Sequence, residues 1–192
     1  MDAPSAPVST GTPIATDYAA VLEPLLAVVD AVPAAGWDAA TPCEDWSARD
    51  LVMHVVDTQR EFLTGRGIDL GPAPDVATDP AAALRAHAGR VLAAVSDPAV
   101  ADESYAGFFG PTRVGETLAQ FYVWDMVVHR WDLARATGQD AGLTDAELDR
   151  IESGASSWGD ALYTDGICRP AVEVPGDAGR EARVLALLGR RA

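Results

Sequence analysis

VGETLAQFYVWDMVVHRWDLARAT, residues 114–137, is the most apolar helical stretch of the chain, and its pattern indicates the fold class. An α-helix advances 100° per residue, so side chains three and four positions apart share one face. Such spacings connect one series of side chains here: Leu118, Tyr122, Asp125, His129, Asp132 and Ala136. This spacing is typical of a helix face directed at a protein core. The stretch therefore predicts a helix packed within a bundle of other helices.

Three members of that series carry ionisable groups, which a dry core accepts only with compensation. Burying an unpaired ionised group costs on the order of several kcal/mol even after relaxation. A divalent cation would compensate, because Asp125 and His129 are neighbours at i and i+4 and can both reach one ion. The alternative is a core histidine hydrogen-bonded to Asp125 or Asp132 without any metal. The spacing alone leaves both interpretations open.

Composition bounds the class of protein. A chain of 192 residues that is 48% hydrophobic is long enough for one domain with a full core. Its net charge of −15 repels phosphate backbones and anionic lipid surfaces, so we expect neither a nucleic acid nor a membrane as partner. Only two cysteines occur, without a CxxC pair, and the first residues do not resemble a signal peptide. These features predict a cytoplasmic protein without a disulfide framework.

Helix start and stop signals divide the chain into a tail, residues 1–15, and a single helical domain, residues 16–192. Ser47 with Asp50, and Thr144 with Glu147, form candidate capping boxes, and Asp79 precedes a proline that suits a first helical turn. The predicted helices are 17–31, 48–64, 80–95, 114–137, 145–163 and 177–188, with a candidate short strand over 172–174. The fold class predicted is all-α, an antiparallel four-helix bundle with an additional C-terminal helix.

A third metal ligand must come from another helix, and the chain offers few candidates. His54 and His87 are the only other histidines. His54 lies at the rim of the apolar face of its helix and is the better partner, whereas His87 is predicted to be a border residue without a role. Cys43, just before a helix start, is predicted to be an inert thiol; a thiol activated by the helix terminus is the alternative.

Two sequence blocks resemble one protein family. TPCEDWSARDL at 41–51 followed by His54 is similar to the "TPC-x-x-W-x-x-x-x-L-x-x-H" block of the mycothiol-dependent maleylpyruvate isomerase N-terminal domain family, within the DinB-like superfamily. DMVVHRWDLA at 125–134, followed by Thr137 and Gly138, resembles the second block of that family. RVLALLGR at 183–190 resembles the ending of its short, single-domain members. The resemblance spans the chain from about the first helix onward.

The resemblance implies a DinB-like bundle that holds a divalent metal through His54, Asp125 and His129. Where this chain has Asp125, the isomerase has glutamate, which is one methylene longer. Zinc is the first candidate, with nickel, iron and manganese as alternatives, and a mycothiol-like thiol is the implied cosubstrate. The implied activity is that of a thiol S-transferase or isomerase: an open coordination position binds the thiol, which then attacks a small electrophile.

Further residues near the candidate ligands are candidates for other roles. Asp132, one turn beyond His129, would orient a ligand histidine, and Thr58 and Glu61 are candidates for proton handling. Arg49 and Arg130 could bind a substrate carboxylate, with ordinary surface salt bridges as the alternative for both.

Two other functions remain open from the sequence. The first is a non-catalytic metal- or ligand-binding bundle that serves a stress response or an interaction. The second is a non-haem iron oxygenase, because two histidines and one carboxylate also suit such a site. The sequence does not distinguish a monomer from a homodimer.

Overall fold

The computed structural model describes residues 12–107, 109–164 and 166–191. The helices are α1 (Pro13–Asp30), α2 (Ala48–Thr64), α3 (Pro80–Val95), α4 (Pro98–Ala101), α5 (Val114–Thr117), α6 (Trp124–Thr137), α7 (Asp145–Trp158) and α8 (Arg180–Ala186). Short 3₁₀ turns cover Ala34–Asp38 and Gly159–Tyr163. Two antiparallel strands, β1 (Ser104–Gly107) and β2 (Gly110–Arg113), form a small hairpin.

Four of these helices form the body of the molecule. α1 packs against α3 and α6, and α2 packs against the same two helices, so the four close a ring around one core. α7 packs on the outside of α6, and α8 packs on α7. The all-α, DinB-like bundle with an added C-terminal helix is therefore confirmed.

Helix starts follow the local capping signals. The Ser47 hydroxyl accepts from the backbone N–H of Asp50 and the Asp50 carboxylate accepts from that of Ser47, as the predicted capping box requires. Thr144 and Glu147 form the same reciprocal pair at α7. The Asp79 carboxylate caps α3. These starts are confirmed because each one depends on residues close together in the chain.

The first helix begins earlier than predicted. The Thr12 hydroxyl accepts from the N–H of Ala15, and Pro13 occupies the first helical position, so α1 starts inside the predicted tail 1–15. Residues 1–11 of that tail lie outside the described residues. Pro24 lies inside α1.

The stretch 114–137 is helical throughout, but it is not a uniform α-helix. Leu118–Val123 forms a π-helical segment between α5 and α6. A π turn adds a residue to the helical repeat and rotates the side chains before it relative to those after it. Gly138 ends α6 in the left-handed conformation, with φ of 71°.

The remaining differences lie in irregular chain. The prediction of a strand over 172–174 is wrong: this segment has no strand partner, and the N–H of Val172 donates to the carbonyl of Ala186 instead. The hairpin was missed because four-residue strands containing glycine and proline carry little alternation. Within the described residues, no helix combines the length and the hydrophobicity needed to cross a membrane.

Candidate metal centre

Helices α2 and α6 bring three side chains together at their contact. His54 extends from α2, whereas Asp125 and His129 are one turn apart on α6. One oxygen of Asp125, Oδ1, lies 3.1 Å from Nε2 of His129, and the other, Oδ2, lies 3.3 Å from Nε2 of His54. The three donor groups lie within 4.8 Å of one another. The predicted set from two different helices therefore meets at one point.

The hydrogen-bond arrangement of His129 requires a positive charge at this point. Its Nδ1 lies 3.0 Å from Oδ2 of Asp132, while its Nε2 faces Asp125. A neutral imidazole carries one N–H and can satisfy only one of two carboxylates. The second nitrogen needs either another proton or a metal cation. A cation on Nε2, with Nδ1–H donating to Asp132, gives the carboxylate–histidine–metal arrangement common at metal sites.

The pKa values of both α6 residues reflect this pairing. Burial lowers the pKa of His129, but the charge of Asp125 and hydrogen bonds to Asp125 and Asp132 outweigh burial and raise this pKa well above 6.5. Burial raises the pKa of Asp125, but His129 and His54 together bring it far below its ordinary value. Without metal, the pair is therefore an imidazolium facing a carboxylate.

The centre is buried on one side and open on the other. The side chain of His129 is 6% exposed, while those of His54 and Asp125 are 28% and 26% exposed. The ring of Trp46 lies 4.6 Å from that of His54, centroid to centroid, and covers one side of the imidazole. Solvent and small ligands can therefore reach the donors from the His54 side.

Behind His129, Asp132 is the centre of a second polar cluster. Its carboxylate is completely buried and accepts two hydrogen bonds from Arg190, from Nε to Oδ1 and from Nη2 to Oδ2, each 2.7 Å long. The thiol of Cys43 donates to Oδ2 at 3.4 Å. Burial raises the pKa of Asp132, but the hydrogen bonds from Arg190 and His129 bring it below its ordinary value.

Cys43, His129 and Asp132 also lie close enough to hold an ion. However, Nη2 of Arg190 lies 3.6 Å from the Cys43 sulfur and already places a positive charge in this cluster. The His54 side of His129 is therefore the better metal site. Cys43 and Cys168 are both free thiols.

The remaining candidates occupy less direct positions. Thr58 donates its hydroxyl hydrogen bond to the backbone carbonyl of His54, and Glu61 is exposed on α2. Arg49 lies at the surface, bonded to the carbonyl of Ala77 and 3.6 Å from Asp38.

Arg130 is fully buried and directs both terminal nitrogens to Glu147, at 2.8 Å each. This pairing leaves its terminal nitrogens committed to the fold rather than to a ligand. It also differs from the surface salt bridge that was the alternative.

Sequence reasoning missed Arg190 and undervalued Cys43. His87, predicted to be a border residue, is completely buried, with Nε2 3.2 Å from Oε1 of Gln59. The sequence signals for Cys43 were its place in the block 41–51 and its position just before a helix start. The sequence signal for Arg190 was its place in the segment 183–190, which resembles the ending of short family members.

The molecule is a helical bundle with a candidate divalent-metal centre. Two histidines and a carboxylate on facing helices form this centre, and a second carboxylate is hydrogen-bonded to one of the histidines. A comparison with known protein families gives a match. The model of the mycothiol maleylpyruvate isomerase N-terminal domain matches residues 18–134, and the chain belongs to that family.

Two curated relatives are uncharacterized proteins of Mycobacterium tuberculosis, one from strain CDC 1551 / Oshkosh and one from strain ATCC 25618 / H37Rv. Each is 34% identical to this chain over 117 residues, which is 56% of this chain and 58% of the relative. The chain therefore matches little more than half the length of these relatives. No solved structure is significantly similar to it.

Proposed function

We propose that this chain is a divalent-metal-dependent enzyme of the thiol S-transferase or isomerase type. It activates a low-molecular-weight thiol, mycothiol or a close analogue, for attack on a small electrophile. The observation that carries the proposal is the convergence of His54, Asp125 and His129 at the solvent-accessible end of a buried polar chain. Membership of a family described by mycothiol and maleylpyruvate isomerase supports the choice of reaction.

The donor set suits the proposed metal. Two imidazole nitrogens and one carboxylate oxygen are a typical three-residue ligand set of catalytic zinc, and they also accept nickel, iron and manganese. Asp125 already receives both histidines on its two oxygens, so a cation there replaces a proton rather than entering an apolar cavity. When bound, such a cation supplies an open coordination position and stabilises the deprotonated form of a thiol at neutral pH.

The chain's own residues hold and orient that site. Asp132 accepts a hydrogen bond from Nδ1–H of His129 and thereby directs the lone pair of Nε2 toward Asp125. Trp46 packs against His54 and limits its rotation. The partial exposure of His54 and Asp125 leaves the donor atoms accessible to a small thiol from solvent. With a net charge of −15, we expect the partners to be these small molecules rather than nucleic acid or membranes.

The direct test is thiol-dependent consumption of an electrophile. Metal-loaded wild-type protein is incubated with mycothiol and a panel of maleyl-type acids and halogenated aromatics, and the loss of thiol and of electrophile is followed together. We expect turnover by the wild type and by His87→Gln, whose histidine lies outside the centre. His129→Ala should reduce turnover to the uncatalysed background while the fold persists.

Two outcomes would overturn the proposal. Equal turnover in His129→Ala and the wild type would remove the reaction from this centre. Metal binding without any thiol-dependent turnover across the panel would instead leave a non-catalytic metal-binding bundle.

A further inference from the structure

Arg190 reaches the centre from outside the segment that defines the family. The family model ends at residue 134, and Arg190 is 58 positions beyond its partner Asp132. The turn after α8 makes this approach possible. Gly189 adopts φ of +74°, and a Cβ placed on it would lie 3.0 Å from the carbonyl oxygens of Arg169 and Pro170. Glycine is therefore required there by both conformation and space.

The same turn is fixed by backbone hydrogen bonds. The N–H of Arg190 donates to the carbonyl of Leu185, and that of Gly189 donates to the carbonyl of Ala186. These contacts return the chain toward the bundle, and Nη1 of Arg190 also donates to the carbonyl of Leu188. Two of these hydrogen bonds fix the backbone of the turn, and the third holds the guanidinium itself.

The contact between Arg190 and Asp132 is the kind that fixes orientation. Two parallel N–H···O bonds of 2.7 Å match the planar guanidinium to the planar carboxylate. Arg190 is 8% exposed and Asp132 is completely buried, so water does not compete for these bonds. The Asp132 carboxylate is therefore prevented from rotating, and Oδ2 stays in line with Nδ1 of His129.

We infer that Arg190 is a positioning residue of the metal centre, which acts through Asp132 to hold His129 with Nε2 directed at the cation. This inference rests on the metal site of the proposed function. It adds that the turn after α8 contributes to the metal site by holding Arg190, in addition to packing on the bundle. Groups that orient a ligand histidine in this way typically change metal affinity by about 10–100-fold when they are removed.

The test measures metal affinity rather than activity. Zinc dissociation constants are determined by competition with a chromophoric chelator for the wild type, Arg190→Met and Arg190→Lys. Arg191→Met is the matched control, because Arg191 is the adjacent arginine and is exposed. We expect Arg190→Met to bind zinc about 10–100-fold more weakly. Arg190→Lys should lose less, since it keeps the charge but not the bidentate fork. Arg191→Met should bind as the wild type does.

A second comparison separates positioning from general destabilisation. Arg190→Met alone leaves the buried carboxylate of Asp132 without its arginine and can therefore impair folding. The double variant, Arg190→Met with Asp132→Asn, removes both charges of the buried pair and avoids this problem. If Arg190 acts only through Asp132, the double variant and Asp132→Asn alone should bind zinc equally. The cobalt(II) spectra of Arg190→Met, Asp132→Asn and the double variant should differ from the wild-type spectrum in the same way, because the visible absorption bands report ligand geometry.

The outcomes distinguish the inference from the function beneath it. If the wild type binds zinc and Arg190→Met binds it equally, the inference fails and the metal site stands. A full additional loss from Arg190→Met in the Asp132→Asn background would also overturn it. If the wild type takes up no metal, the proposed function and this inference fail together.

Discussion

Asp125 and His129, one turn apart on α6, face each other with Oδ1 and Nε2 separated by 3.1 Å, and this contact can hold either a proton or a metal ion. The proton and the metal ion compete for the same place between Oδ1 and Nε2. This competition makes the metal affinity depend on pH, and the raised pKa of His129 sets the direction of that dependence.

Metal binding should release a proton from His129. Its pKa is raised well above 6.5, so at neutral pH the metal-free imidazole carries a proton on Nε2 that the ion must displace. Affinity should therefore weaken as pH falls below that raised pKa, by about tenfold per pH unit for one proton. Calorimetric titration in buffers of different protonation enthalpy counts the protons released. A count near zero at neutral pH would mean that the ion does not take the place of this proton.

Stability should fall in mild acid because of His87. Burial, with the charges of Arg60 and Arg90, lowers the pKa of His87 from 6.5 to about 4. Below pH 6.5 His87 binds a proton in the unfolded chain but remains neutral in the folded chain. The free energy of unfolding therefore decreases as pH falls toward 4. The decrease attributable to this group is up to about 3 kcal/mol, and it is absent above about pH 7.

Denaturant unfolding at several pH values between 4.5 and 7.5 measures this effect. His87→Gln should show a shallower dependence on pH than the wild type over the same range. Identical slopes in the two proteins would show that His87 does not retain its depressed pKa in the fold.

The packing of α7 on the start of α6 should tolerate no extra methyl group. A Cβ on Gly154 would overlap Nε1 of Trp124 and lie 2.6 Å from Cδ1 of the same ring. Gly154→Ala should lower the free energy of unfolding by about 1–3 kcal/mol, because Trp124 must shift. Gly89→Ala is the matched control: Gly89 also lies in a helix, α3, but with nothing near its Cβ position. That change should raise stability by about 0.4–1 kcal/mol.

Chemical denaturation of the three proteins gives both signs in one experiment. A Gly154→Ala protein as stable as Gly89→Ala would show that Trp124 is not packed against α7 as described.

What the sequence predicts well is local. The capping boxes at Ser47 and Thr144 lie within four residues of chain, and the structure starts α2 and α7 at those points. The pairing of Asp125 with His129 follows from the helical repeat alone. His54 joins them because α2 and α6 pack together, which family resemblance could supply and spacing could not.

What the sequence does not predict depends on distant contacts. Cys43 meets Asp132 across 89 positions, and Arg190 meets it across 58. The Arg190 contact requires the turn at Gly189 and the path of the chain after α7, and the Cys43 contact requires the segment before α2 to pack on α6. No periodic pattern encodes either arrangement. The absent strand at 172–174 has the same origin, since a strand needs a partner and Val172 bonds to the carbonyl of Ala186 instead.

The central claim is that His54, Asp125 and His129 hold one divalent cation between α2 and α6. Elemental mass spectrometry of gently purified protein, with His54→Ala, His129→Ala and His87→Gln beside it, tests this most directly. We expect about one ion per chain in the wild type and in His87→Gln, and none in the other two folded variants. An absence of metal from the wild type after loading, or an equal metal content in all four proteins, would contradict it.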